Sequence, residues 1–540
     1  MSENNITLVR GLGLVAAISI IIGNVIGTGV FLKARVMTCN LGSPEWVLLA
    51  WVAAGLLSLA GALTYAELSA MKPEAGGEYV FLRDAYGRVS SFLYGWMQIF
   101  IAKTGSQAAV AVAFTIGLND FLGGGLKQVL YQNKFHPLSW LPNNIAFFDL
   151  TKIWNLIGLS SEYEFSYELT SLQLIAVMII IIFTTINCAS VVLSGQIATF
   201  LTFVKIFLII FVALGAFLFV TGGNFGNFSM MNTGGTCEGV SAGVRYGSDS
   251  FSYIAGFSAA MLGALWGYDG WNNLSLVAGE VKKPERNIPL ALIGGTIAII
   301  ILYVFAHVAY YYVLDPAAIS SVSKDSSVAK VVVSKFFGGD IQTFATGFAV
   351  SVFTIGLMLS SIGTLHTSIL TGARVPYAMA KDGVMFEPMG RLSQGTRVPV
   401  IALIVQGIWA SVLALSGSFD TLTDYVVFGS WIFYALATST IFVFRFRYPN
   451  AERPYKAWGY PVVPVVFLIV AGFLLFSTVR TDYYQILENL GTLTNPSIFR
   501  QIFTVITAPS IAGIILILLG LPIYYYLTKE NNKDSEADNK

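Results

Sequence analysis

Apolar positions gather into twelve stretches of roughly membrane length, near residues 11–36, 44–66, 91–121, 171–187, 196–221, 253–275, 289–313, 343–373, 399–416, 421–444, 459–479 and 504–527. A stretch of about 20 apolar residues is what a bilayer-crossing helix needs. The first is interrupted from within. GLGLVAAISIIIGNVIGTGVFLKARV carries Gly27-Thr28-Gly29 inside the run, where two glycines loosen a helix by about 1 kcal/mol each. The sixth is interrupted likewise, at Gly267-Tyr268-Asp269-Gly270 in ALWGYDGWNNL. Paired interruptions at corresponding places in two halves point to a substrate site between inverted repeats.

The pattern predicts an all-α membrane protein of twelve transmembrane helices, with a five-plus-five inverted repeat, discontinuous helices 1 and 6, and helices 11 and 12 appended. Residues 1–10 are an N-terminal segment, 11–221 and 253–444 the two repeats, 222–252 an outer loop, 445–527 the last two spans, and 528–540 a charged tail expected to lack fixed structure. Lys72, Arg83 and Arg88, then Lys282, Lys283 and Arg286, then Arg374, Lys381, Arg391 and Arg397, then Arg445, Arg447, Arg453 and Lys456 follow even-numbered spans. By the positive-inside rule these connections and both termini are cytoplasmic. Outer loops 122–170 (with His136), 222–252 and 480–503 are long, and loops of that length are either functional or disordered.

Composition agrees and narrows the function classes. The 540 residues are 55% apolar and 11% charged, against about 25% charged in soluble domains. The mean hydropathy is +0.70. A net charge of +1 gives no case for nucleic acid. The first run is too long for a signal peptide and reads as a retained span. Cys39, Cys188 and Cys237 are too far apart for a zinc pattern. Cys188 is expected reduced on the inner side. Cys39 and Cys237 fall in outer connections, where two free thiols are the plainer reading and a disulfide the alternative. Three scattered histidines do not supply an enzyme's ligands or base, and one chain with two unlike breaks offers no channel ring, so a carrier is favoured over either. No cofactor or metal is expected.

The breaks also carry chemistry. Freed N–H groups of Thr28, Gly29 and Val30 open a half-helix whose positive end suits a carboxylate, and Gly27 and Gly29 let an anion come close to the backbone. Freed carbonyls around Trp266, Gly267 and Asp269 suit an ammonium group. Together they match a zwitterionic α-amino acid, although glycines at such places also serve close helix packing.

The strings IIIGNVIGTGVF (20–31), YAELSAMKPEAGGEYVFLRDAYG (65–87) and GYDGWNNLSLVAGEVKKPERNIPLA (267–291) resemble the amino acid–polyamine–organocation superfamily, and within it L-amino-acid transporters and their bacterial relatives. The resemblance runs from about residue 8 to 450. It implies a LeuT-type fold, alternating access and amino acid transport in the plasma membrane. It places Thr28 and Gly29 on carboxylate-binding positions, and Val25, Trp266 and Asp269 on positions whose carbonyls hold the amino group. It makes Trp266 an aromatic gate, and has Phe428, Ser430 and Trp431 of span 10 help line the side-chain pocket. Lys205, deep in span 5, matches a lysine that stands where related carriers place sodium, bonded to the span 1 break and to hydroxyls of span 8. This implies sodium-independent exchange or proton-coupled uptake of neutral L-amino acids, with a cationic amino acid or polyamine as the alternative that Asp269 keeps open.

Other candidates are read from the residues themselves. An intramembrane charge is costly and therefore a functional candidate. Asp269 either reads substrate or caps its half-helix. Lys103 either faces a central cavity beside Ser106 and Gln107 or pairs with an acid. His366 and His307 are packing histidines before they are proton relays. Glu67, Glu74, Glu78, Arg83 and Asp84 form a mixed-charge cluster that either locks the cytoplasmic mouth or is a solvated loop, and Arg374 joins either role. Animal relatives attach a heavy subunit through a cysteine in the span 3–4 loop. Residues 122–170 hold no cysteine, so no such partner is expected.

Overall fold

The computed structural model describes residues 7–135, 144–145, 148–149, 165–323, 326–416, 419–491, 505–506 and 508–538. His136, with residues 136–143, 146–147 and 150–164 of loop 122–170 and residues 492–503 of loop 480–503, lies outside the described residues. Helices dominate: α1 (Leu14–Val25), α2 (Gly29–Leu41), α3 (Pro44–Met71), α4 (Glu78–Tyr86), α5 (Arg88–Met97), α6 (Lys103–Phe121), α7 (Ser171–Ala189), α8 (Val191–Phe219), α9 (Tyr253–Tyr268), α10 (Pro284–Val313), α11 (Phe344–Gly372), α12 (Arg374–Lys381), α13 (Val400–Ser416), α14 (Phe419–Arg447), α15 (Val462–Gly491), α16 (Pro509–Leu518) and α17 (Gly520–Asp538). A π-helical turn, Gln98–Ala102, joins α5 to α6.

Among the described residues nine helices are long and apolar enough to cross a membrane, or ten when α1 and α2, bent by 40°, count as one span. The chain is an integral, multi-pass membrane protein. Two of the twelve expected spans are shorter than these crossing helices among the described residues. α9 has 16 residues because it stops at the second break, and α13 has 17. The all-α expectation holds for the fold, and loop 122–170 adds a hairpin to it, in which Val129–Phe135 pairs antiparallel with Phe165–Thr170. The tail corrects the expectation that it lacks fixed structure. The helix continues through Asp538, with no Gly or Pro after Pro522 to end it.

Side chains sort inside out, as lipid requires. Along α8, Phe200, Phe203, Phe207, Leu214 and Leu218 are exposed, while Leu201, Thr202, Lys205, Leu208 and Val212 are buried on the opposite face. Lipid tails are as apolar as leucine, so small residues and close packing hold such helices together. Gly215 on α8 meets Phe336 and Gly356 on α11 meets Leu208, each leaving no room for a Cβ. The buried centre is α1, which packs against α8, α10 and α11, while α2 lies along α9.

The two faces are fastened differently. On one, Cys39 at the end of α2 is disulfide-bonded to Cys237 in loop 222–252, which replaces the expectation of two free thiols. The backbone explains the pairing: Asn232 N–H bonds to Gly42 O at 2.6 Å and Tyr246 N–H to Cys39 O at 2.8 Å, so the loop lies on the helix end. On the other face, Leu12 and Val281 form a parallel bridge, tying the entry to α1 to the segment after the second break.

Candidate functional site

The first break spans Ile26 to Thr28, between α1 and α2. A broken membrane helix must satisfy its freed backbone groups inside the protein. The carbonyls of Gly23, Val25 and Ile26 are satisfied. Lys205 Nζ, fully buried, donates to Gly23 O at 2.6 Å, Ile26 O at 2.5 Å and Thr364 Oγ1 at 2.7 Å. Those three acceptors match the ammonium's three hydrogens. Ser360 and Thr364 hydroxyls add to Ile26 O at 3.4 and 3.3 Å. Tyr303 Oη lies 3.0 Å from Val25 O and 2.8 Å from Gly267 O, so one hydroxyl joins both breaks. The N–H groups are not satisfied. Thr28 stands at the N-cap of α2 without a side-chain capping bond, and Thr28, Gly29 and Val30 N–H find no acceptor among the described residues. The Gly23, Val25 and Ile26 carbonyls are therefore taken, while the N–H groups of the break stay open as donors.

Glycine chemistry there is partly packing. A Cβ on Gly29 would stand 2.9 Å from Gly267 Cα, so the two breaks touch backbone to backbone. A Cβ on Gly27 meets only Thr364 Oγ1, at 3.5 Å.

α9 ends at Tyr268, and Asp269 is its C-cap residue, with Asp269 N–H bonded to Trp266 O at 3.2 Å. Gly270 has φ +100°, a left-handed turn that side-chain-bearing residues resist, and a Cβ there would press Asn24 Cβ at 3.0 Å. The chain then runs into a 3₁₀ segment, Asn273–Glu280. Of the three carbonyls expected to await an ammonium group, those of Trp266 and Gly267 already hold internal donors.

What these turns enclose is a small polar cavity. Asp269 and Asn273 of the second break, Lys103 and Ser106 of α6, Thr364 of α11 and Ser430 of α14 all line it. Asp269 Oδ1 accepts from Tyr434 Oη at 2.8 Å, and Lys103 Nζ donates to Asn273 Oδ1 at 2.5 Å. The cavity therefore holds one fixed cation and one fixed anion, each steadied by a neutral partner.

Other candidates are placed elsewhere. Trp266 and Phe428 line a second, larger cavity toward the disulfide face, so the expected single pocket divides in two. Trp266 stands at the boundary, its Cδ1 3.6 Å from where a Gly29 Cβ would lie. His366 is satisfied away from both cavities: Nδ1 accepts from Asn187 Nδ2 at 3.1 Å and Nε2 donates to Ser194 O at 2.9 Å. His307 packs on the Trp51 ring, with centroids 4.4 Å apart.

The expected charge cluster separates into three. Glu67 pairs with Arg445 at 2.6 Å and Arg453 at 3.3 Å and accepts Ala457 N–H at 2.6 Å, fastening α3 to the end of α14. Glu78 is buried, accepting from Asn272, Ser275 and Tyr94 beside the second break. Only Glu74, Arg83 and Asp84 remain together, joined by Lys72 at 2.9 Å from Asp84. Arg83 also reaches Asp382 past α12, at 2.9 Å. Burial alone raises the Asp84 carboxyl, but hydrogen bonds and charges from Arg83 and Lys72 outweigh it and hold the carboxyl below its ordinary value. Arg374 has its own partner, Glu280, with Nε–Oε1 at 2.6 Å and Nη2–Oε2 at 2.9 Å, both side chains buried.

Tyr303, Tyr434, Asn273, Glu280 and Asp382 were missed by the sequence reading. A tyrosine inside an apolar run carries no period or charge to mark it. Both Asn273 and Glu280 belong to the GYDGWNNLSLVAGEV string, Asn273 as a polar residue within a predicted span and Glu280 just past its end.

Residues 12–520 match the family described as amino acid permease. The chain belongs to the amino acid permease family. It is 26% identical to the serine/threonine exchanger of Bacillus subtilis (strain 168), over 97% of this chain and 98% of that protein. It is 26% identical to the b(0,+)-type amino acid transporter 1 of Mus musculus, over 88% of this chain and 84% of that protein. It is 24% identical to the large neutral amino acids transporter small subunit 2 of Homo sapiens, over 96% and 81%. These relatives are transporters or exchangers by name, not enzymes. Both breaks, the central cavity and Lys205 lie within the permease match.

Proposed function

We propose that this permease is a secondary active transporter that carries neutral L-amino acids across the plasma membrane by alternating access, through sodium-independent exchange or proton-coupled uptake. The observation that best supports this is the asymmetry of the first break. The carbonyls of Gly23, Val25 and Ile26 are bonded from within the protein, and the N–H groups of Thr28, Gly29 and Val30 are open to an anion such as a substrate carboxylate. In this reading Gly27, Thr28 and Gly29 hold the carboxylate. The Asp269 carbonyl, the second lone pairs of Val25, Trp266 and Gly267 O beside their internal donors, Ser106 and Ser430 hold the rest of the substrate, and Trp266 closes over it. Lys205 holds the break where a sodium ion would otherwise sit. Asp269 invites a cationic substrate, but Lys103 in the same cavity offsets its charge, which favours the neutral class.

The proposed architecture is a LeuT-type pair of five-span inverted repeats (11–221 and 253–444) followed by two more spans, twelve in all. Both termini and the Glu280–Arg374 face are cytoplasmic, the disulfide face is outside, and the chain works without a covalently attached heavy subunit. Proteoliposomes loaded with one unlabelled amino acid test the function. Uptake of labelled neutral amino acids is expected at equal rates in sodium and potassium media and is stimulated by internal substrate. Uptake of none of the common amino acids, or uptake that needs sodium, overturns the reading.

A further inference from the structure

Glu67, Glu78, Glu280 and Asp482 are buried carboxylates. Glu67 and Glu280 are bound to arginines, and Asp482 lines the larger cavity on the disulfide face. Glu78, 0% exposed at the start of α4, accepts from neutral groups, Asn272, Ser275 and Tyr94. Lys103 is the cation within electrostatic reach of it, and the same ammonium also faces Asp269. One positive charge thus stands against two carboxylates, and a buried charge without its counterpart is strongly unfavourable. A proton on one carboxylate removes the excess.

The neighbours of Glu78 can serve both of its protonation states. Ser275 Oγ has one hydrogen and two acceptors for it, Asn272 O at 2.7 Å and Glu78 Oε2 at 3.3 Å. Given to Asn272 O, that hydrogen leaves a lone pair that can accept a carboxyl O–H. Asn272 Oδ1 is buried without a partner among the described residues, and turning the amide over brings it to Glu78 in place of Nδ2. The other groups facing Glu78 are neutral, Tyr65 of α3, Tyr94 of α5 and Tyr434 of α14. On α12, which also packs against α4, Arg374 is held by Glu280 with Tyr377 beside them, and Lys381 is exposed.

Its place in the fold links it to both faces. Gly76 N–H donates to Leu276 O at 2.9 Å, and a Cβ on Gly77 would stand 2.6 Å from Ser275 Oγ, so α4 is fastened to the segment after the second break. Asn273, next to Asn272, holds Lys103 in the central cavity. Toward the Glu280–Arg374 face, Tyr79 and Arg83 tie α4 to Asp382, each at 2.9 Å.

We propose that Glu78 is the proton-binding site of the transport cycle. In this state it takes a proton from water that enters through the central cavity, an O–H bond forming on the carboxylate. When Asp382 releases α4, the proton passes to water on the Glu280–Arg374 face and the carboxylate is restored. The proposal rests on the transport reading and selects its proton-coupled form, one proton moving with each neutral amino acid.

The test uses sodium-free proteoliposomes of the full chain, each radiolabelled neutral amino acid in turn, and a pH-sensitive dye inside. With the outside two pH units more acid, the wild type is expected to concentrate at least one of them by up to about 100-fold, tenfold per unit at one proton per substrate, and to acidify the lumen. Glu78→Gln is expected to equilibrate the label without concentrating it or acidifying the lumen, and still to exchange internal for external substrate at equal pH. Ser275→Ala takes away an acceptor of the carboxyl hydrogen and is expected to move the midpoint of uptake against pH to the acid side by about half a unit or more. Wild-type exchange that ignores the gradient, or accumulation that survives in Glu78→Gln, overturns the proton site and leaves the transport reading standing. Where Glu78→Gln does not exchange at equal pH, Ser275→Ala decides, and an unshifted midpoint overturns the proposal. A wild type that moves no amino acid overturns both readings.

Discussion

Replacing Lys205 by methionine removes a charge and keeps most of the side-chain volume, so its effect can be worked from the bonds it leaves broken. Lys205 Nζ serves Gly23 O, Ile26 O and Thr364 Oγ1. Ile26 O keeps the Ser360 hydroxyl at 3.4 Å, and the one Thr364 hydrogen goes either to Ile26 O or to Ser360 O, each at 3.3 Å. Only Gly23 O is left with no donor, and an orphaned buried acceptor costs about 1–3 kcal/mol. Relief of the buried ammonium's own desolvation, several kcal/mol in principle, works the other way and keeps the net effect at or below that range. Lys205→Met is therefore expected to fold, to unfold at a lower temperature, and to lose up to about 150-fold in transport rate, the upper end of that range expressed as a barrier. Thr364→Val leaves both carbonyl bonds of Lys205 in place and is expected to cost less than half as much. Initial uptake rates in proteoliposomes, with thermal unfolding of the same preparations, measure both. Wild-type rate and melting temperature in Lys205→Met, or a larger loss in Thr364→Val, would refute the argument that Lys205 holds the break.

Gly363→Ala places a Cβ 2.7 Å from Lys205 Cε and 3.1 Å from Leu201 Cβ. It is expected to slow uptake as Lys205→Met does without touching the charge, and an unchanged rate counts against tight seating of the lysine. Tyr303→Phe removes the hydroxyl shared by Val25 O and Gly267 O and is expected to cost about 1–3 kcal/mol, read as a lowered melting temperature with slower uptake. Glu280→Gln leaves Arg374 charged and buried, which costs about 3–5 kcal/mol, whereas the double change Glu280→Leu/Arg374→Met is expected to recover most of the lost thermal stability. Asp84, held below its ordinary value, stabilises its ion pairs above the unfolded-state value of about 4 and loses that contribution only as pH falls through its lower folded value. Asp84→Asn is accordingly expected to leave the shape of the pH–uptake profile between about pH 5 and 8 unchanged, and a shifted profile there would contradict this sign.

Much of the architecture was legible because a membrane leaves few choices. Apolar stretches long enough to cross a bilayer read as helices, and closely spaced glycines with polar neighbours inside one mark where it can break. The two interruptions at Gly27–Gly29 and Gly267–Gly270 were visible in one dimension for that reason. So was Lys205, because an ammonium at that depth must find oxygen atoms nearby. Pairing was not legible. Glu67 and Glu78 are eleven positions apart in one acidic stretch, yet one is bound to Arg445 and the other sits beside Asn272 and Ser275. A carboxylate's charge can be read from sequence, while the cation it meets depends on which helices cross there. The same limit applied to Cys39 and Cys237, 198 residues apart, whose bond follows from loop 222–252 lying on the end of α2.

The sequence by itself determined that this is a membrane protein with two broken helices and a lysine deep in the bilayer, since each follows from local composition and the cost of a polar group in lipid. Tertiary structure alone decided that Tyr303 joins the two breaks, that Lys103 and Asp269 share one cavity, and that Trp266 and Phe428 face another. Those facts depend on the crossing of α1, α6, α9, α10 and α14, and no spacing along the chain records where helices cross.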